Sequence, residues 1–157
     1  KIQSICSSFV DAKGSMFLGR GYSFPVALEG ALKLKELAYV HAEGYPAGEM
    51  KHGPLALIED GMPVVVIAPR DQHYKKTISN MQEVIARGAK VLLITNKSKD
   101  EIYSENIWET IEVENTEDDL FPFLVTIPLQ KLAYYSALKK GYDIDKPRNL
   151  AKSVTVE

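Results

Sequence analysis

Three charged side chains, Glu29, Lys33 and Glu36, lie at helical spacing within an otherwise apolar stretch. At about 100° per residue, Lys33 and Glu36 fall within about 40° of Glu29, so the three form a narrow stripe on one helix face. Carboxylates can take up protons and an ammonium can pair with them, so the stripe faces either a polar site or a strip of solvent. The second alternative is an exposed ion pair between residues one turn apart, which stabilises a helix only slightly.

Two further residues, His52 and Lys152, are of types that can carry chemistry. Imidazole can both take and give a proton near neutral pH, and His52 precedes Gly53-Pro54, where a turn histidine that caps backbone is the alternative. An amine is a nucleophile only when it is unprotonated, and a lysine so close to a C-terminus is ordinarily solvated. Residue type alone leaves both alternatives open for each residue.

The stripe belongs to a stretch from Phe24 to Pro54 that predicts a long helix followed by a turn. The other faces of this helix are apolar nearly all round, which is typical of a buried helix. We expect the stripe to open into a cavity at the carboxyl edge of a sheet, where open α/β folds bind their ligands.

The rest of the chain alternates strand and helix patterns. Short apolar or β-branched runs predict strands, and longer runs at helical spacing, closed by glycine, predict helices. The predicted strands are Met16–Gly19, Pro63–Ala68, Lys90–Thr95 and Ile107–Val113, and the predicted helices after the central one are Tyr74–Arg87 and Leu120–Lys140. This alternation predicts a three-layer α/β fold with a mainly parallel sheet and right-handed crossovers.

Composition narrows the possible partners and compartment. The 157 residues are 45% hydrophobic and 25% charged with a net charge of -2, which fits one globular domain and gives no basic field for nucleic acid. No apolar run is long enough to span a membrane. The single cysteine, Cys6, fits a reducing compartment and is expected to be a buried small hydrophobe. The helical pattern at residues 1–13 begins without a cap, as part of a longer polypeptide would.

Two segments of the sequence resemble a known protein family. The segment LGRGYSFPVALEGALKLKELAYVHAEGYPAGEMKHGPLALI, with the C-terminal PRNLAKSVTVE, resembles the glutamine:fructose-6-phosphate aminotransferase (isomerizing) family, or glucosamine-6-phosphate synthases. The resemblance covers essentially the whole chain. It implies that residues 1–157, with a C-terminal tail at 146–157, are a single sugar isomerase (SIS) domain of flavodoxin-like α/β type. It also implies that the first SIS half, with its phosphate-gripping Ser/Thr loop, and the glutaminase domain are missing.

The resemblance further implies roles for individual residues. Glu36 would shuttle a proton between C1 and C2 of the sugar, helped by burial on its apolar helix, and Lys33 would assist proton transfer or hold this base in place. Glu29 would belong to the substrate site. His52 would open the sugar ring and would reach the site from the neighbouring subunit of a homodimer.

In the tail, the resemblance implies that Lys152 forms a Schiff base with open-chain fructose 6-phosphate and that backbone around Ala151 contacts the sugar. Lys33 or Arg148 could supply the cation that favours the unprotonated amine. Ammonia derived from glutamine would then yield glucosamine 6-phosphate in the cytoplasm, without cofactor or metal. A regulatory SIS module that only binds sugar phosphate is the first alternative. A structural half that only completes a dimer is the second.

Overall fold

The computed structural model describes residues 1–96 and 106–148 and contains five strands, four α-helices and two short 3₁₀ helices in these ranges. The strands are β1 (Ser15–Gly19), β2 (Ala42–Pro46), β3 (Pro63–Ile67), β4 (Lys90–Asn96) and β5 (Glu109–Val113). The α-helices are α1 (Ile2–Val10), α2 (Ser23–Ala38), α3 (Tyr74–Ile85) and α4 (Phe121–Lys139), and the 3₁₀ helices are Ala47–His52 and Pro54–Leu57.

The five strands form one sheet in the order β2-β1-β3-β4-β5, and all four pairings are parallel. This is the flavodoxin-like order, which reverses direction between β1 and β3. The predicted α/β fold with a mainly parallel sheet is therefore confirmed. Each strand that was predicted is present to within one or two residues at either end, as is each of the two later helices.

Helices cover both faces of the sheet, which is why the central strands are apolar on both sides. Phe17, Val65 and Leu92 pack in a buried cluster with α1, α2 and α4. Met16 and Val64, their neighbours along the strands, pack in a second cluster with α3 and the first 3₁₀ helix. The two clusters make three layers, with α2 and the first 3₁₀ helix on opposite faces of the sheet.

Two glycines bring α2 close to its neighbours. A Cβ on Gly19 would overlap the backbone of Ser23, so only glycine allows the helix to begin so soon after β1. A Cβ on Gly30 would lie 3.0 Å from side-chain carbons of both Phe17 and Leu129, so this glycine sets how closely α2 approaches β1 and α4. The position of the charged stripe therefore depends in part on these two contacts.

The central stretch differs from its prediction in two ways. The helix ends at Ala38, and β2 follows it where only a turn was expected. The sequence AEGYP lacks β-branched residues, but an edge strand that pairs on one side tolerates glycine and proline. The helix is also not buried all round, because Leu28 and Leu32 on its outer side are 45% and 40% exposed.

Candidate active site

The charged stripe on α2 is a connected group of side chains. The Nζ of Lys33 lies 2.6 Å from Oε2 of Glu36, one turn later, and 3.7 Å from Oε1 of Glu29, one turn earlier. The side chains of Lys33 and Glu36 are each 29% exposed and that of Glu29 is 41% exposed. The spacing of the three residues therefore predicted their arrangement correctly, with the lysine held between two carboxylates.

The same contacts determine the protonation of the lysine. The hydrogen bond to Glu36 is the largest cause that raises the pKa of Lys33 above its ordinary value, partial burial opposes it, and the charge of Glu29 adds to it. Lys33 therefore stays an ammonium at neutral pH and cannot act there as a base or nucleophile. It can orient the Glu36 carboxylate and stabilise its negative charge.

The stripe does not lie where we expected it along the helix. The helix starts beside the carboxyl end of β1 and runs back along the sheet, so at 1.5 Å per residue Glu36 is about 20 Å from its first residue. Since β1 spans only five residues, about 17 Å, Lys33 and Glu36 lie towards the amino edge of the sheet. The expectation of a site at the carboxyl edge is wrong for these two residues.

Two surface cavities also lie away from the stripe. One, of about 390 Å³, lies at the amino edge and is bordered by Lys13, His41 and Glu43. The other, of about 220 Å³, lies at the carboxyl edge between the loops after β1 and β3 and is bordered by Ser23 and His73. Neither is lined by a residue of the stripe. Glu36 is also less buried than its apolar helix led us to expect, because the outer side of α2 is open in this chain.

His52 lies far from the stripe within one chain. It ends the first 3₁₀ helix, which packs through the buried Met50 against the α3 side of the sheet and is tied to α3 by Lys51 and Glu83 at 2.9 Å. The imidazole is 74% exposed, and its Nε2 is 3.9 Å from Oε2 of Glu49. The sheet therefore separates His52 from α2, and a single copy does not bring the histidine to Glu36.

The two predicted tail residues, Ala151 and Lys152, lie outside the described residues. The last described residue, Arg148, contacts the end of α2, where its backbone N–H donates a hydrogen bond of 2.6 Å to the hydroxyl of Tyr39. Sequence reasoning missed Tyr39 as a candidate. The sequence feature that could have indicated it is an aromatic residue with a hydroxyl group just past the helix, three positions after Glu36.

The remaining observations concern Cys6, membrane-spanning helices and metal-binding groups. Cys6 is buried in α1 as expected, and burial is the main cause that raises the pKa of its thiol, which lowers the fraction of reactive thiolate. Within residues 1–96 and 106–148, no helix is long and apolar enough to cross a membrane. No group of three or more His, Cys, Asp or Glu residues in those same ranges is arranged to hold a metal ion.

Comparison with known proteins shows the family of the chain. The family described as "SIS domain" matches residues 8–140. The chain belongs to the SIS domain family. The glutamine–fructose-6-phosphate aminotransferase (isomerizing) of Bartonella henselae is 54% identical to this chain over all 157 residues, and that of Aquifex aeolicus is 51% identical over the same length. In both cases the chain spans 26% of the length of the relative.

Solved structures show the same fold. The C-terminal domain of glucosamine-fructose-6-phosphate aminotransferase from Francisella tularensis matches 92% of this chain and 41% of its own chain, with a TM-score of 0.88 and 47% identity. A glucosamine-6-phosphate deaminase from Thermotoga maritima matches 98% of this chain and 46% of its own chain, with a TM-score of 0.70 and 29% identity. The resemblance drawn from the sequence is thus confirmed at the level of family and fold.

Proposed function

We propose that this chain is the C-terminal SIS half of the isomerase region of a glutamine:fructose-6-phosphate aminotransferase, which converts fructose 6-phosphate and glutamine-derived ammonia to glucosamine 6-phosphate. The observation that carries the proposal is 54% identity along the entire chain to a protein of that name. The Glu29–Lys33–Glu36 group supports it, because it provides a positioned carboxylate for proton transfer. In this proposal residues 1–157 are one SIS domain, and residues 146–157 are its tail.

Glu36 is the proposed base of the isomerisation. Its carboxylate removes a proton from C1 of the open-chain C2 imine and returns a proton to C2, while the C1 hydroxyl loses its proton and the imine nitrogen gains one, which leaves an aldehyde at C1 and an amine on C2. The ammonium of Lys33, 2.6 Å away, fixes the orientation of the carboxylate. Glu29 contacts the ammonium from the other side and borders the same substrate site. Lys33 is therefore proposed to hold the base in place, which its raised pKa favours.

Lys152 is the proposed nucleophile. Its unprotonated amine adds to the C2 carbonyl of the open-chain ketose, a C–N bond forms, and water leaves to give an imine. Ammonia then displaces the lysine at the same carbon before Glu36 acts. Backbone around Ala151 contacts the sugar. No cofactor or metal is part of this sequence of steps.

His52 is proposed to open the ring of the sugar that is bound at the site of a second copy of the chain. This role requires a homodimer, because the sheet separates the exposed imidazole from α2 within one copy. The exposed position of His52 at the end of a 3₁₀ helix supports this role, because an exposed side chain can contact a second copy across an interface. We propose a cytoplasmic location, which a lone, buried free thiol suits.

Borohydride trapping tests the central proposal. The long enzyme that contains this chain is incubated with fructose 6-phosphate and borohydride, which reduces an imine to a stable secondary amine, and the modified peptide is identified by mass spectrometry. We expect the sugar on Lys152 of the wild type and no adduct in Lys152→Arg, since guanidinium is not a nucleophile at neutral pH. An adduct on Lys33 or Lys35, with Lys152→Arg still active, would refute the assignment.

Mixed dimers test the role of His52. Glu36→Gln and His52→Ala subunits, each inactive alone, are combined at equal amounts. If the histidine acts across the interface, half of the dimers are hybrids with one intact site each, so about a quarter of the wild-type activity returns. If His52 serves its own subunit, the mixture stays inactive and the homodimer proposal loses its support.

A further inference from the structure

Three successive residues of the first 3₁₀ helix point in three directions. A 3₁₀ helix has about three residues per turn, so neighbouring side chains leave it about 120° apart. Met50 is fully buried in the cluster beside α3. The ammonium of Lys51 lies 2.9 Å from Oε1 of Glu83 on α3, and the imidazole of His52 is 74% exposed. Since Met50 and Lys51 are both held, the rotation of the helix about its axis is fixed, and with it the direction of His52.

The carboxylate of Glu83 is well placed to hold Lys51. Its side chain is only 19% exposed, so salt screens its attraction to the ammonium less than at an open surface. Its other oxygen, Oε2, is buried and has no hydrogen-bond partner within the described part of the chain. Loss of Lys51 would therefore leave a partly buried charge unpaired, which is unfavourable. The helix that carries Glu83 is itself fixed, because Met81 and Val84 are buried in the same cluster as Met50.

The imidazole of His52 is directed by its backbone rather than by contacts of its own. Within residues 1–96 and 106–148, its one ion-pair contact is with Oε2 of Glu49 at 3.9 Å, which is too long for a hydrogen bond. Gly53 follows with φ 142°, a conformation that glycine adopts far more readily than other residues, so the chain turns away straight after the histidine. The anchoring of Lys51 on Glu83 therefore determines where the ring points.

We propose that Glu83 is a positioning residue for His52, which binds Lys51 and so directs the imidazole away from its own subunit. This inference rests on the proposed function, because Glu83 acts through the ring opening by His52. In that step the C2–O5 bond of the sugar breaks, the C2 hydroxyl loses its proton and O5 gains one. An imidazole that exchanges both protons must reach two oxygen atoms of one substrate, so a small rotation of the 3₁₀ helix should slow the step. Glu83 itself does not touch the substrate.

The test compares two substrates of the long enzyme. 5-Deoxyfructose 6-phosphate lacks the hydroxyl that closes the ring of fructose 6-phosphate, so it stays open-chain and needs no ring opening. Glu83→Gln and Lys51→Gln each remove one charge of the pair, whereas Lys51→Arg keeps both charges. Lys1→Gln is the matched control, because Lys1 also pairs with a partly buried carboxylate, that of Glu109 at 2.7 Å, at the β5 edge of the sheet. The quantity measured is kcat/KM for each substrate.

We expect Glu83→Gln and Lys51→Gln to lower kcat/KM for fructose 6-phosphate by about three- to tenfold and that for the 5-deoxy compound by less than about twofold. The double variant should be no slower than either single variant, because both remove the same contact. Lys51→Arg and the control should stay close to the wild type. A purely structural role would instead lower kcat/KM for both substrates equally.

The positioning role and the proposed function fail in different ways. If His52→Ala loses activity on fructose 6-phosphate alone, while the Glu83 and Lys51 variants lose none or lose it equally on both substrates, the positioning role is overturned and the ring opening by His52 stands. If His52→Ala loses activity equally on both substrates, the histidine does not act in ring opening. That result overturns this part of the proposed function, and the positioning role with it.

Discussion

Replacing Glu36 with glutamine should separate stability from catalysis. The substitution keeps the size of the side chain and removes the charge that pairs with Lys33 at 2.6 Å. A helical pair of this kind contributes about 0.5 kcal/mol or less, and Glu29 still faces the lysine. The loss of stability should therefore stay below about 1 kcal/mol, which for a domain of this size lowers the unfolding midpoint by no more than about 4 °C.

The catalytic loss should be far larger. A positioned general base typically contributes about 10²- to 10⁴-fold to a rate, or about 3–5 kcal/mol in the barrier. We therefore expect kcat of the long enzyme to fall by at least about 100-fold in Glu36→Gln, with a smaller change in KM. The assay is formation of glucosamine 6-phosphate from fructose 6-phosphate and glutamine, followed alongside thermal unfolding of the same preparation.

The matched control is Glu59→Gln. Glu59 also pairs with a lysine, Lys13 at 3.5 Å, but it is well exposed and belongs to the loop before β3 rather than to α2. This variant should keep both kcat and the unfolding midpoint. The proposed role of Glu36 is contradicted if Glu36→Gln retains most of its kcat, or if its activity is lost together with a drop in unfolding midpoint much larger than the lost pair can explain.

Three further results are expected. Below pH 10.5, the ordinary pKa of lysine, Lys33→Met should have a lower free energy of unfolding than the wild type. This difference should vanish as the pH rises through the higher pKa that Lys33 has in the folded state. Denaturant titrations of both proteins from pH 8 to 12 would measure the difference. Gly19→Ala should strongly lower the urea midpoint because its Cβ would overlap the backbone of Ser23, whereas Gly30→Ala, which meets only side-chain ends, should cost less. The isolated chain should convert no fructose 6-phosphate with added ammonia, because in the proposed function the Ser/Thr-rich loop that binds the substrate phosphate belongs to the first SIS half; measurable product would contradict this.

The fold could be predicted largely because the chain marks its elements locally. The runs Pro63–Ile67 and Lys90–Asn96 are apolar on both faces, and Gly88 and Gly141 both adopt positive φ where helices stop. The strand Ala42–Pro46 could not be predicted from its composition. Its position is determined by pairing with β1, which is a tertiary contact that the local sequence does not encode.

The candidate site was predictable only in part, for a geometrical reason. Helical periodicity gives the face on which Glu29, Lys33 and Glu36 lie, so their contacts followed from spacing alone. Periodicity does not give the height of a residue above the sheet edge, which depends on where the helix begins and how it crosses. It also cannot bring Tyr39 and Arg148 together, because these residues are 109 positions apart and meet only after α4 has returned along the sheet.

The charged stripe is more exposed than a catalytic base usually is. A carboxylate base works best where water is excluded, yet Glu36 and Lys33 remain accessible on the flank of α2. Beside them, the exposed Leu28 and Leu32 offer an apolar border suited to burial. In the proposed function, proton transfer by Glu36 therefore requires the α2 flank to be covered. We expect Leu28 and Leu32 to be protected from solvent in the long enzyme, and labelling of both side chains by hydroxyl radicals at the same rate as in the isolated chain would contradict this.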